Sequence, residues 1–89
     1  MPKEEKYALY KIGEPEDTFP AMTKHAYRMT DRRTGKAVWV PKSIVILDAP
    51  DDMGQRNFHI PLWFFTKQKH IAPEAIREGD YRGIVGLVI

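Results

Sequence analysis

Apolar residues along this chain come in short runs that proline, glycine or aspartate interrupts after a few positions, a pattern that predicts brief strands. The organising stretch is Trp39-Val-Pro-Lys-Ser-Ile-Val-Ile46. Val38, Trp39 and Val40 favour extended backbone, while Pro41 has no N–H and cannot continue a fully paired central strand. The chain is therefore expected to bend at Pro41-Lys42-Ser43 and to resume as a strand over residues 43–48. Upstream, Asp31-Arg-Arg-Thr-Gly35 has the composition of a hairpin tip with a left-handed position at its glycine. The arms of that hairpin are residues 23–30 and 36–40, with Tyr27 and Met29 on one face and Lys24, Ala26 and Arg28 on the other.

The flanking segments follow the same logic. Residues 1–6 form a charged tail, Tyr7–Ile12 a strand, and Glu14 to Ala21 a proline-containing acidic loop. Asp48 to Gly54 is a turn-rich connection whose aspartates suit turn hydrogen bonds. Gln55 to Ile60 alternates, with Phe58 and Ile60 inward and Asn57 and His59 on the polar face. Pro61 suits a first helical position, so a main helix is expected near 62–70, with Leu62, Phe65 and Ile71 packed on the sheet. Ile71 to Gly79 reads as a short helix or turn. Residues 84–89 read as an apolar strand that must pair, in this chain or with a second copy. Trp39 and Tyr27 are both expected in the core.

The pattern predicts one domain over residues 1–89, of the α+β class. Its architecture is expected to be a small, curled, mostly antiparallel sheet of five or six strands, SH3-like or OB-like, with the helix against it. A chain of 89 residues has room for one modest core, and its 43% apolar and 29% charged residues are ordinary for a globular protein. The absence of cysteine excludes disulfides and thiolate metal sites, and with no leader-like N-terminus or membrane-length apolar run the expected compartment is cytoplasmic.

Charge changes the picture more than composition does. The formal net charge is only +2, yet Lys24, Arg28, Arg32, Arg33, Lys36 and Lys42 crowd the hairpin against Asp31 alone. Such a basic hairpin is either an ordinary solvated surface or a site for an anionic partner.

Residues 23–71 resemble a pattern shared by many short proteins of phages and mobile elements. That pattern has a strand with Lys-Ala, a strand ending Trp-Ile-Pro-Lys-Ser-Gln-Ile, and a segment of the type Ile-Pro-Glu-Trp-Leu before a basic helix. Lys24-His-Ala26, Trp39-Val-Pro-Lys-Ser-Ile44 and Ile60-Pro-Leu-Trp-Phe64, with Lys67 and Lys69, match these pieces. Ile44 replaces the usual glutamine, Leu62 the usual glutamate, and His70 lies near where the family helix ends in glycine. The resemblance implies a small mainly-β domain with a helix, in the setting of an infected or element-carrying host cell. It implies no catalytic residues.

No catalytic pattern stands out from the residues themselves. His25, His59 and His70 are too far apart for a local metal motif, Asp48, Asp51 and Asp52 lack calcium-loop spacing, and Ser43 has no nucleophile-elbow frame. The reading is a non-enzymatic binding protein without cofactor or metal. Its expected partner is a host protein complex that acts on nucleic acid or in defence, docked in the manner of an anti-CRISPR inhibitor. Arg32, Arg33, Lys36, Trp63 and Phe64 are the candidate anchors. One alternative is direct nucleic-acid binding through Lys24, Arg28, Arg32, Arg33, Lys36 and Lys42. Another is a structural subunit of a viral assembly, with a homodimer through residues 84–89.

Overall fold

The computed structural model describes residues 4–13 and 20–88 and forms a small, mostly antiparallel β fold with little helix. Its strands are β1 (Glu4–Ile12), β2 (Ala21–Met22), β3 (Ala26–Thr30), β4 (Ala37–Pro41), β5 (Ile46–Leu47), β6 (Arg56–Pro61) and β7 (Asp80–Val88). They make two sheets, ordered β5-β6-β1-β7 and β2-β3-β4. This corrects the expectation of one curled sheet, since no ladder joins the two among the described residues. Glu4 to Lys6, expected as part of a frayed tail, begin β1. Residues 1–3 of that tail, residues 14–19 of the acidic loop, and Ile89 lie outside the described residues.

The hairpin forms as its alternation dictates. β3 and β4 pair from Ala26 opposite Pro41 to Thr30 opposite Ala37. Tyr27, Met29, Val38 and Val40 turn inward and are buried. At the tip Gly35 takes φ 71°, where a Cβ would be penalised, and its N–H donates to the Asp31 carbonyl at 2.7 Å. Pro41 ends β4, and a 3₁₀ turn at Lys42–Ile44 carries the chain across to β5 in the other sheet. The missing N–H of Pro41 thus marks a change of sheet rather than a bulge within one.

In the larger sheet β1 lies between β6 and β7, antiparallel to both. The apolar C-terminal strand pairs within its own chain, and its register shifts between Leu9 and Tyr10, beside the pairing of Leu9 with Gly83. Gly83 has φ 103°, which an L side chain rarely adopts, so it permits that bulge. A single core joins the sheets: Ala8, Tyr10, Ile12, Phe58 and Ile60 face Tyr27, Met29, Val38 and Val40. The Tyr27 and Phe58 rings meet edge to face, with centroids 4.9 Å apart.

The expected main helix near 62–70 is replaced by a shorter, wider coil. The residues at 62–63 are α-helical and Phe64–Lys69 form a π-helix. Phe64 and Phe65 are both buried, their rings 5.5 Å apart and nearly perpendicular. The wide turn lets two successive aromatic residues face inward, which a stripe of Leu62, Phe65 and Ile71 on an ordinary helix does not anticipate. Further on, Pro73–Ala75 form a 3₁₀ turn that leads into a stitch between the sheets. Arg32 N–H donates to the Ala75 carbonyl at 2.8 Å, and Arg77 N–H to the Thr30 carbonyl at 2.9 Å. Glu78 closes it by accepting from the Thr30 N–H (2.7 Å) and hydroxyl (2.9 Å).

Tyr10 ties this segment to the core, its hydroxyl donating to the Pro73 carbonyl at 2.6 Å. Burial, chiefly, together with Tyr81 and Glu74, pushes the Tyr10 phenol far above its ordinary value of 10.0. Above pH 10 the unfolded chain gives up this proton while the folded one keeps it, so stability falls as pH rises. We expect the melting temperature to decline from about pH 10 upward. The decline should be shallower in Tyr10→Phe, which has no phenol to ionise. An equal alkaline slope in the two proteins, measured by circular dichroism, would show that other groups control it.

Candidate nucleic-acid interface

Pleating puts Arg28 and Trp39 directly opposite each other on the outer face of the smaller sheet. Trp39 is 45% exposed, which corrects its expected place in the core. Its neighbours Val38 and Val40 take the inward positions, so period-2 alternation forces the indole outward. Tyr27, on the inner face, is core as expected.

The hairpin tip and the last turn of the π-helix enclose an open groove of about 410 Å³. Arg33, Lys36 and Trp39 line it from the hairpin, and Lys69, His70 and Ile71 from the helix. β4 is the edge strand of its sheet, so nothing in the ladder covers this side of it. Asp31 is the acid in the groove. Its carboxylate is buried, accepts the Arg33 backbone N–H at 2.9 Å, and lies 3.7 Å from the Arg33 guanidinium. The groove therefore presents three cationic side chains and an aromatic plane around one acid already hydrogen-bonded and paired.

The other predicted cations divide by position. Arg32 is exposed at the tip next to Arg33. Lys24 lies in the turn before β3, and Lys42 follows β4, both at the far end of the hairpin from the tip. Lys42 is already engaged: its ammonium lies 5.4 Å from the Tyr27 ring centroid and donates to the Met22 sulfur at 3.3 Å. Arg28, midway, links the two ends on the face that carries Trp39.

The two aromatic anchors expected for a protein partner differ in exposure. Phe64 is 1% exposed and belongs to the core. Trp63 is half-buried, its indole N–H donating to Glu5 at 2.9 Å. The histidines also separate. His25 is exposed in the turn before β3, while His59 is buried rather than on a polar face, its Nδ1 3.0 Å from the Ile46 carbonyl and its ring edge-on to Tyr7. His59 is misplaced by sequence reasoning because the outer face of β1 and β6 also carries large side chains, Tyr7 and Leu9 among them. His70 and Lys69, which charge counting along the hairpin missed, join the groove through tertiary placement of the helix end.

In the acidic connection before β6, Asp51 accepts N–H bonds from Met53 and Gln55, both 2.9 Å, and pairs with Lys11 at 3.5 Å. Those backbone bonds, and secondarily Lys11, lower its carboxyl below the ordinary range. Residues 84–88 lie at the outer edge of the larger sheet, with Ile84 substantially exposed. Among the described residues no helix is long and apolar enough to cross a membrane. Comparison with protein-family models, curated proteins and solved structures yields no match.

Proposed function

We propose that this chain is a non-enzymatic binding module and that its basic hairpin grips single-stranded nucleic acid. The observation that carries this reading is Trp39, exposed beside Arg28 and at the rim of a groove lined by Arg33, Lys36 and Lys69. An aromatic plane beside a cationic track is how sequence-tolerant single-strand binders work: bases stack on the ring while phosphates meet the cations. In this reading the two sheets are the opened halves of a small SH3-like or OB-like barrel, with the coil at 62–69 plugging one end. The protein acts in the cytoplasm of an infected or element-carrying cell, the setting that its resemblance to phage and mobile-element proteins suggests.

The test is fluorescence anisotropy of a labelled oligo-dT at about 50 and 200 mM salt, the interval over which phosphate contacts are expected to weaken binding strongly. Wild-type affinity is expected to fall steeply with salt. Neutralising Arg33, Lys36 and Lys69 together should flatten the log–log slope by about 2, at roughly 0.7 per phosphate contact on a single strand. Absence of binding at low salt would remove this reading.

A second reading, docking on a host protein of nucleic-acid processing or defence as an anti-CRISPR-like inhibitor, draws on the same surface. Trp39, Arg32 and Arg33 are the residue types that dominate protein hot spots, and all three are exposed. It takes precedence if oligonucleotides fail and a host complex is captured whose formation Trp39→Ala abolishes. A homodimer through residues 84–89, as in a virion subunit, would instead appear as a concentration-dependent sedimentation coefficient.

A further inference from the structure

We infer that the nucleic-acid surface continues off the hairpin onto the end of the π-helix, and that His70 contacts the bound strand directly; this rests on the reading above. His70 caps the helix at φ 53°, ψ 45°, its N–H donating to the Phe65 carbonyl. It is the one described residue other than glycine with positive φ. At that backbone angle Cβ crowds a carbonyl oxygen, and glycine caps helices there without the crowding. An imidazole held in a glycine conformation stabilises the cap less than glycine would.

Nothing in the fold accounts for the side chain. It is exposed, and among the described residues its ring makes no hydrogen bond or ion pair. What it does have is position. It opens into the groove next to Lys69, with Arg33, Lys36 and Trp39 on the opposite side. The remaining charged group there, Asp31, is occupied by Arg33. The imidazole and the Lys36 and Lys69 ammonium groups form a donor-rich surface around one space, and Asp31, the one carboxylate among the residues that line it, is already engaged by Arg33. The ligand that satisfies them is a phosphodiester whose base lies on the Trp39 indole. Strained backbone concentrates at binding sites where the strained residue does something that glycine cannot, and here that is donating a hydrogen bond across the groove.

His70→Gly separates this contact from a plain helix cap. The variant is expected to melt about 4 °C higher, because the backbone strain is gone. It should bind oligo-dT about fivefold more weakly, the worth of roughly one hydrogen bond. Independently, the ring C–H resonances of His70 in the wild-type protein should shift on titration with oligo-dT and saturate at the anisotropy Kd. A more stable variant with wild-type affinity, a less stable variant, or imidazole resonances that ignore the oligonucleotide would each overturn the inference. If His70→Gly binds normally while the Arg33, Lys36 and Lys69 variant does not, His70 is only a cap and the hairpin reading stands. If wild-type protein binds no oligonucleotide at low salt, both fall together.

Discussion

Truncating Phe58 to alanine is expected to cost about 3–5 kcal/mol, the range for removing a fully buried aromatic ring. Phe58 belongs to β6, and its ring is completely inaccessible. The Tyr27 ring against which it rests belongs to the other sheet. The substitution therefore removes apolar burial and the edge-to-face contact together, and it opens a cavity at the seam between two sheets that no strand ladder joins. Domains of this size are stable by about 0.05–0.15 kcal/mol per residue, so the loss is a large part of the total. Urea unfolding followed by circular dichroism should show a much lower midpoint at a similar slope. A cost below about 1 kcal/mol would mean that the sheets are held by something other than this seam.

Replacing Trp39 by alanine should do the converse, leaving the fold intact and damaging binding. A surface substitution away from caps and core shifts stability by no more than about 0.5 kcal/mol. Loss of one base–aromatic stack costs about 1–3 kcal/mol, which corresponds to a drop in oligonucleotide affinity of roughly 5- to 150-fold. Trp39→Phe should recover part of that, since a phenyl ring still offers a π face. Because stacking is not a phosphate contact, the salt slope should barely move, in contrast to the charge variants. Anisotropy titrations of the three proteins measure both quantities, and a folded Trp39→Ala protein of undiminished affinity would place the nucleic-acid site elsewhere.

The hairpin was legible from sequence because its determinants are local. Alternation at Tyr27 and Met29 and a glycine able to take positive φ specify the two arms and their tip. The same alternation held the correct answer for Trp39, since Val38 and Val40 already claim the inner face. A large apolar indole favours the core by type, but its position between two inward valines decides its face. The division into two sheets was not legible, because it depends on which distant strands pair. Pro41 announces a bend, but nothing near it says that β5 joins a different sheet from β4. The π-winding at 64–69 hid for a related reason: four large apolar residues in a row are compatible with several turns, and only the surrounding core selects the widest. The groove inherits that difficulty. Arg33 and Lys36 announce themselves by charge, whereas Lys69 and His70 reach them only after the coil packs.

The placement of β1 bears on how the molecule is made. β1 is an inner strand of the larger sheet, and both of its neighbours, β6 and β7, follow the β3–β4 hairpin in the chain. The β3–β4 hairpin is complete within a short span and can form during synthesis. β1 must wait for β6 before its Tyr7-to-Ile12 run gains a first partner strand. Nascent chains stalled before β6 should consequently hold a formed hairpin and a bare, aggregation-prone strand, and slow synthesis of the stretch up to β6 would make the protein a client of chaperones that shield such strands.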